Sequence, residues 1–286
     1  MRATEKIKEV NTKLISAGIS DRLEAEWLIA LALGKNKLSE IYNLSIMKDD
    51  EEKIDSIVKD RINGKPLAYA IGNAEFYGRK FDVNQNVLIP RPETELLVER
   101  IIKDIKENPK KLKVLDIGTG SGAIAITISL ETDAIVKALD ISHKALKVAI
   151  NNGINLKSNV EFCKSDIFSE IKDLEKFDII VSNPPYIKSE DINGLDKEVR
   201  DFEPHLALDG GESGLEIYER IIKEAPKFLN PNGKINFEIG IGQADDIKKM
   251  LERDFECIEI IKDYNNIDRI VVAKLRVRKW MKNSKI

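Results

Sequence analysis

The chain has 286 residues, of which 42% are hydrophobic and 33% are charged, and its formal net charge is -3. This composition is typical of globular proteins and excludes disordered and fibrous chains, and the length favours more than one domain. The acidic balance argues against a protein that binds nucleic acid through its overall charge. The sequence contains no apolar run of about 18 residues, so it predicts no membrane span.

Cysteine and histidine are scarce. Cys163 and Cys257 lie far apart beside apolar residues, which predicts buried, reduced thiols rather than a disulfide. With His143 and His205 as the two histidines, no cluster of metal ligands is visible, and we predict no metal. The segment after Met1 is charged and lacks a signal-peptide pattern, so we expect a cytoplasmic protein.

Residues 1–73 are predicted to form helices. The first predicted helix places apolar residues on one face, at Ile7, Val10, Leu14 and Ile15. Ser20 is the expected N-cap of the second helix. The segment carries 12 Lys and Arg and 12 Asp and Glu. This neutral balance favours a domain that docks a protein substrate over one that grips nucleic acid.

Residues 74–90 change in character. Aromatic and β-branched residues surround Gly78 and Asn84, a pattern typical of a β-hairpin, which we interpret as a linker. A helix is then predicted, with Pro92 near its first turn and acidic residues close behind.

From Leu112 onward, short apolar runs alternate with helical stretches. The seven predicted strands have the sequences KVLDIG, AIVKALD, VEFCKSD, FDIIVSN, KINFEIG, FECIEII and RIVVAKL. Helices are expected after Ser121, Ser142, Ser213 and Gly242. This alternation predicts an α/β fold with a mostly parallel sheet covered by helices on both faces. The last two strands are too close for a parallel crossover, so the last strand should be antiparallel. The basic tail after them favours a solvated terminus over a contact with RNA or an acidic partner.

The sequence VLDIGTGSGAIAI places a glycine-rich loop between a strand and a helix. Gly118, Gly120 and Gly122, with Thr119 and Ser121 between them, would let the backbone approach a ligand closely. The helix N-terminus behind the loop favours an anionic group, and the strand end is where open α/β sheets bind ligands. A purely structural turn is the alternative interpretation.

Two acidic residues at later strand ends suggest the ligand. Asp140, 24 residues beyond Asp116, could accept hydrogen bonds from both ribose hydroxyls. Asp166 could accept from an adenine amino group, with Ile167 and Phe168 as apolar contacts. Alternatively, Asp116 is a turn or cap residue and Asp166 an N-cap. Together with the loop, these positions predict a nucleoside with a short zwitterionic tail, such as S-adenosylmethionine.

The sequence NPPY follows the fourth predicted strand and should lie in the same crevice. Methylation of a planar nitrogen requires two acceptors that hold its N–H protons, so that the lone pair points at the methyl donor. The Asn183 side-chain carbonyl and the Pro184 backbone carbonyl could supply them, and the fixed φ of proline preorganises both. Tyr186 could pack on the flat acceptor group. A simple strand terminator is the alternative.

DIGTGSG and NPPY together resemble class I S-adenosylmethionine-dependent amino-methyltransferases, which have a Rossmann-like fold. The stretches PLAYAIGNAEFYGRKFDVNQNVLIPRPETE, SNPPYI and FEPHLALDGGESGLEIY narrow this to a resemblance to the protein-(glutamine-N5) methyltransferases of peptide chain release factors, the HemK or PrmC family. The resemblance runs from about Pro66 to Ala273. It implies that the glutamine of the Gly-Gly-Gln loop in class 1 release factors is the substrate, and that S-adenosylhomocysteine is the product.

The resemblance also implies residue roles. Gly118 to Gly122 would cradle the methionine part of the cofactor, Asp140 its ribose, and Asp166 with Ile167 its adenine. The catalytic group would be Asn183, Pro184, Pro185 and Tyr186, with Asn183 near the sulfonium and on the glutamine amide. Ile167 departs from the family because many members carry an aromatic residue there, and Tyr77 replaces a common tryptophan.

The expected organisation is therefore a helical substrate-docking domain over residues 1–73, a hairpin linker over 74–90 and a catalytic domain over 91–286. An N-methyltransferase of adenine or guanine in DNA or RNA is the main alternative, but it would normally leave a basic stripe. A binding module without activity and an NAD-dependent oxidoreductase fit less well. We expect no stable nucleic-acid partner and no membrane association.

Overall fold

The computed structural model describes residues 1–21 and 23–277. They form two compact units, Met1–Asn73 with Asp196–Phe202, and Ala74–Leu195 with the chain from Glu203 onward. Within the described residues, no helix has both the length and the apolar character needed to cross a membrane. The expectation for the basic tail falls largely on residues 278–286, which lie outside the described residues.

The first unit is helical, as predicted. Its α-helices, numbered in chain order, are α1 (Ala3–Ser16), α2 (Glu24–Ala32), α3 (Lys48–Ile62), α4 (Leu67–Ile71) and α8 (Lys197–Phe202). Helix α8 lies in the range 91–286 but groups with this unit, where Arg61 Nη2 donates to the Glu198 carboxylate at 3.0 Å. Arg61 also donates to Glu24 Oε1 at 2.6 Å, so one buried guanidinium joins α2, α3 and α8.

Two details of the predicted helices were wrong. Val10 and Leu14 are buried, but Ile15 is 56% exposed because it lies beyond the edge of the apolar face. Helix α2 begins at Glu24, and the Asp21 carboxylate, rather than Ser20, accepts from the Leu23 backbone N–H at 2.9 Å.

The second unit begins with the predicted hairpin. Strands β1 (Asn73–Phe76) and β2 (Arg79–Asp82) pair around a tight turn at Tyr77 and Gly78, both with positive φ. The Tyr77 backbone N–H donates to Glu95 Oε1 at 2.7 Å, which fastens the turn to helix α5 (Pro92–Lys106). As predicted, Pro92 opens this helix, where its missing N–H costs no hydrogen bond.

The main sheet has seven strands among the described residues, in the order β5-β4-β3-β6-β7-β9-β8. They are β3 (Lys113–Ile117), β4 (Ile135–Asp140), β5 (Val160–Lys164), β6 (Phe177–Ser182), β7 (Leu229–Glu238), β8 (Phe255–Lys262) and β9 (Asp268–Leu275). Strand β9 is antiparallel to β7 and β8, and the pairings among β3 to β7 are parallel. The predicted α/β fold with an antiparallel last strand is confirmed.

Helices cover both faces of the sheet and bury two apolar cores. They are α6 (Ala123–Glu131), α7 (His143–Asn155), α9 (Glu216–Glu224) and α10 (Ala244–Leu251), in addition to α5. Successive residues of a strand point to opposite faces, so Val114 joins the core that contains α5 and α6. Leu115 joins the core that contains α9 and α10. The sheet is thus fixed on both faces while its carboxyl ends stay open.

Both cysteines are free, as expected, but they are not buried. Cys163 is half-buried on β5, and Cys257 is exposed on β8. The apolar flanks misled the prediction, because β8 is an edge strand and alternate residues of an edge strand face solvent.

Candidate functional site

A cavity of about 450 Å³ opens at the carboxyl ends of the parallel strands, within the size range of small-molecule sites. The sheet register brings its polar residues together. Ile117 of β3 pairs with Leu139 of β4 and with Ser182 of β6, and Ser182 pairs in turn with Phe237 of β7. The next residue of each strand or loop therefore lies at one edge of the sheet: Gly118, Asp140, Asn183 and Glu238.

The glycine loop forms one wall of this cavity. Four of its five predicted residues line it, namely Gly118, Thr119, Gly120 and Ser121. Gly122 does not line it; it is the N-cap of α6 with a φ of 84°. A Cβ on Gly122 would lie 2.8 Å from Ile126 Cδ1 and 3.3 Å from Ala149 Cβ. Gly122 therefore lets α6 and α7 pack closely behind the loop; its predicted contact with the cofactor stays a prediction.

Two carboxylates support the loop. The fully buried Asp116 accepts from the Thr119 hydroxyl at 2.7 Å, and burial raises its pKa to about 7. Asp140 uses both oxygens: Oδ2 accepts from the Gly120 N–H and Oδ1 from the Ser142 N–H, each at 2.8 Å. Burial also raises the pKa of Asp140. Asp140 lines the cavity and fixes the loop at the same time.

Asp166 and Ile167 line the cavity as well, but Asp166 has a partner that the sequence did not suggest. Arg220 Nη2 of α9 donates to both Asp166 carboxylate oxygens at 2.8 Å, in an exposed ion pair. Ile167 is buried with a φ of 54°, a costly conformation for a β-branched residue. The chain turns sharply here and places an apolar side chain in the cavity wall.

The asparagine turn forms the opposite wall, with Asn183, Pro184 and Pro185 among the lining residues. Asn183 Nδ2 donates to Thr94 Oγ1 at 3.4 Å, and Thr94 Oγ1 donates to Glu238 Oε2 at 2.6 Å. Among the described residues, none donates to the Asn183 side-chain oxygen or to the Pro184 carbonyl. The wall therefore offers two unused acceptors.

Tyr186 is not among the lining residues. It packs against the core that contains α9 and α10, and burial raises its pKa to about 12. Its carbonyl accepts from Gln243 Nε2 at 3.0 Å, and the same Nε2 donates to the Gly214 carbonyl at 3.2 Å. A Cβ on Gly214 would lie 2.5 Å from the Tyr186 carbonyl oxygen. The loop DGGESG (residues 209–214) thus packs tightly against the asparagine turn. Tyr186 anchors that turn on the side away from the cavity, through its contact with the core.

Four polar residues of the site were missed in the sequence. Thr94 lies in the PETE segment (Pro92–Glu95), and Glu238 ends strand β7. Gln243 directly precedes helix α10, and Arg220 lies on helix α9. The acid at the end of the buried strand KINFE was the one visible signal, because a buried charge needs a partner. The others depend on loop conformations that spacing does not reveal.

The residues fit an S-adenosylmethionine-like group. Asp140 presents a buried carboxylate to hydroxyl donors, and Ile141 and Ile167 supply apolar walls for a flat base. Gly118 and Gly120 have open space within 4 Å of where a Cβ would stand, so the loop can approach a ligand with its backbone. The N-terminus of α6 directs its positive end to the same loop.

Two family models match the chain. Residues 5–72 match the PrmC N-terminal domain, and residues 92–199 match the methyltransferase small domain. The first match falls in the helical unit, and the second includes the glycine loop, both acidic strand ends and the asparagine turn.

Full-length relatives are similar to the chain. The release factor glutamine methyltransferase of Bacillus cereus is 38% identical over 283 residues, which cover 96% of this chain and 100% of that protein. The release factor glutamine methyltransferase of Fusobacterium nucleatum is 40% identical over 262 residues, which cover 90% of this chain and 74% of that protein. A methyltransferase structure from Pyrococcus furiosus superposes with a TM-score of 0.53 at 19% identity, covering 81% of this chain and 100% of that one, which shows a shared fold.

Proposed function

Because this chain belongs to the release factor glutamine methyltransferase family, we propose that it methylates the glutamine of the Gly-Gly-Gln loop in class 1 peptide chain release factors, on the side-chain amide nitrogen (N5). The membership itself makes the chain an S-adenosylmethionine-dependent methyltransferase of a release factor glutamine. What we propose beyond the membership is that the substrate glutamine lies in the Gly-Gly-Gln loop of the release factor, and which residues of this chain act on it.

One observation supports a planar nitrogen with two N–H groups as the atom that receives the methyl group. The Asn183 side-chain oxygen and the Pro184 carbonyl are acceptors without a donor among the described residues, and both residues line the cavity beside the glycine loop. A primary amide has two N–H groups, as an exocyclic base amine does, so two acceptors can hold either group in one orientation. Membership of the family selects the glutamine amide between them. The prolines restrict the backbone on either side, so these acceptors are fixed before substrate arrives.

The cofactor site follows from the glycine loop and its two supporting acids. Residues Gly118 to Ser121 would hold the methionine part, Asp140 the ribose, and Asp166 with Ile167 the adenine. When bound, S-adenosylmethionine supplies a methyl group activated by a sulfonium. Arg220, which holds Asp166 in the structure, would share or release that carboxylate. Such a change costs little, because exposed ion pairs contribute about 0–1 kcal/mol.

The chain's own residues supply alignment rather than strong acid–base chemistry. An amide nitrogen is a poor nucleophile, so the site must hold it with its lone pair directed at the methyl group. Well-oriented reactants can gain roughly 7–11 kcal/mol. Asn183 and Pro184 orient the nitrogen and take up the charge that develops on its N–H groups. The nitrogen loses its proton readily once alkylated, so no placed base is needed.

We propose that the helical unit helps to dock the release factor, that no metal or stable nucleic-acid partner takes part, and that the enzyme works in the cytoplasm, where translation ends.

Two exposed aromatic residues of the helical unit allow a test of docking: Trp27 and Tyr42 are 37% and 43% exposed. Replacing Trp27 by Ala should raise the KM for the intact release factor and leave kcat unchanged. An unchanged KM for both Trp27→Ala and Tyr42→Ala would contradict docking through these aromatic residues.

The function is tested with labelled S-adenosylmethionine and a purified class 1 release factor. The expected result is one methyl group per release factor, located on the loop glutamine by peptide mass spectrometry. A release factor with Gln→Ala in that loop is the matched control and should remain unlabelled. Equal labelling of both proteins, or labelling of DNA or RNA instead, would overturn the assignment.

A further inference from the structure

Thr94, Glu238 and Asn183 form a short chain of hydrogen bonds that ends at the cavity. We propose that Thr94 and Glu238 are positioning residues that fix which end of the Asn183 side-chain amide faces the substrate. The inference rests on the proposed function, in which the Asn183 oxygen accepts from the glutamine amide. It adds two residues that act through Asn183.

The direction of the chain follows from donor and acceptor chemistry. An ionised carboxylate can accept but not donate, so the single Thr94 hydroxyl proton goes to Glu238 Oε2, 2.6 Å away. The hydroxyl then has lone pairs left for Asn183 and no proton. The Asn183 group that faces Thr94 at 3.4 Å must therefore be the NH₂ group. Its oxygen is left for the cavity.

The sheet register makes this chain possible. Ser182 of β6 pairs with Phe237 of β7, so Asn183 and Glu238 occupy equivalent positions on adjacent parallel strands. Thr94 reaches them from the first turn of α5. Glu238 and Thr94 are 3% and 5% exposed, so the hydrogen bond between them is shielded from water, whereas the half-buried Asn183 faces the cavity.

The orientation of the Asn183 amide depends on whether Glu238 is ionised. Burial raises its pKa to about 7, while Thr94, Arg269 and Asn183 favour the ionised form and Glu93 disfavours it. Tyr186 and Tyr218 also face this carboxylate, and the Tyr218 hydroxyl donates to the Glu238 backbone carbonyl at 2.7 Å. A protonated Glu238 can donate to Thr94, which then donates to Asn183 and turns the amide. Turnover should therefore fall as the pH falls through about 7.

Thr94→Val removes the hydroxyl with little change in shape, and Thr94→Ser keeps it. Thr94→Val should lower kcat for release factor methylation by about 10- to 100-fold, as a misplaced reacting group does. Thr94→Ser should stay within about threefold of wild type. Both should bind S-adenosylhomocysteine as wild type does, which calorimetry measures. Thr127→Val is the matched control, because Thr127 is a fully buried threonine of α6 whose hydroxyl has no hydrogen-bond partner among the described residues.

Glu238→Gln keeps an acceptor for Thr94 but cannot titrate. The wild-type kcat should drop about tenfold per pH unit below pH 7, and the variant should lose this dependence between pH 6 and 8. A merely structural role for Glu238 would not remove an acidic limb. If Glu238→Gln retains the wild-type pH profile, or if Thr94→Val retains wild-type kcat, the inference is wrong. Failure of the wild-type protein to label release factor at pH 8 would instead contradict the proposed function.

Discussion

The two walls of the cavity differ in where their supporting contacts come from. At the glycine loop the contacts are local: Asp116 and Thr119 are 3 residues apart, and Gly120 and Asp140 are 20 apart. At the asparagine turn they are distant: Thr94 lies 89 residues from Asn183 and 144 from Glu238. The stretch of chain from β3 to the end of β4 thus builds most of the wall at the glycine loop, here called the glycine wall. The wall at the asparagine turn, here called the substrate wall, needs the assembled sheet. This division predicts that changes at the two walls affect different steps.

The largest effect is expected for Asn183→Ala. It removes one of two acceptors for the substrate amide, so kcat should fall by about 10³-fold, the scale of a lost electrostatic contact at the reacting centre. The affinity for S-adenosylhomocysteine, measured by calorimetry, should change by less than about threefold, because the glycine wall is intact. Asn155→Ala, which alters an exposed asparagine of α7, is the control. Parallel losses of turnover and cofactor affinity would break the division between the walls.

The opposite pattern is expected for Asp140→Asn. An amide has one acceptor oxygen, so it cannot serve the N–H groups of both Gly120 and Ser142, and its NH₂ would face a donor. The dissociation constant for the cofactor should rise by about 10- to 100-fold, equivalent to about 1.4–2.8 kcal/mol. At saturating cofactor, kcat should stay within about threefold of wild type.

Asp166→Asn is the informative companion to that change. Asp166 is also an acidic residue at a strand end, but its carboxylate is exposed and paired with Arg220. We expect the cofactor dissociation constant to rise by no more than about fivefold, since exposed charge pairs contribute about 0–1 kcal/mol. If Asp166→Asn weakened binding more than Asp140→Asn, the adenine end would be the dominant anchor and the glycine wall the lesser one.

The same division explains how much of the site could be predicted. The glycine loop follows from a motif of consecutive residues, because a strand, a tight turn and a helix start have local signatures, and Asp140 follows as the acidic residue that ends the next predicted strand. The strands and their order along the chain were also predictable, because each strand is a short apolar run. Glu238 and Thr94 were not, because their role depends on the pairing of β6 with β7 and on the entry of α5. Tyr186 occupies a position of the motif, yet its side chain packs against the core that contains α9 and α10.

Gln243 tests how firmly the substrate wall is held from behind. Its side chain accepts from the Gly240 N–H at 2.9 Å and donates to the Tyr186 and Gly214 carbonyls. Gln243→Leu leaves these groups unpaired and should lower the free energy of unfolding by about 2 kcal/mol, as seen in the midpoint of urea denaturation. Turnover should drop less than in Asn183→Ala. A loss of cofactor affinity with unchanged turnover would contradict this role, because it would mean that Gln243 supports the glycine wall instead.

The smallest effect concerns Asp116, beneath the glycine loop, and it appears in the pH dependence of stability. Burial raises the pKa of this carboxyl from 3.8 to about 7, so between those values the folded protein holds a proton that the unfolded chain has lost. Its contribution to stability therefore falls as the pH rises towards 7, and the full cost of ionisation is present above 7. Asp116→Asn cannot ionise. Its stability relative to wild type should be highest at pH 8 and should decline by about 1.4 kcal/mol at pH 6.

This comparison uses the difference between two pH values, so any constant cost of the asparagine amide cancels. The buried Glu238 is present in both proteins, and its titration cancels as well. Urea denaturation without cofactor at pH 6 and pH 8 gives the four free energies of unfolding that are needed. A difference that stays constant with pH would mean that Asp116 is already ionised in the folded protein at pH 6. The Thr119 hydroxyl would then compensate its burial, and the glycine wall would carry a fixed negative charge beneath the loop rather than a proton.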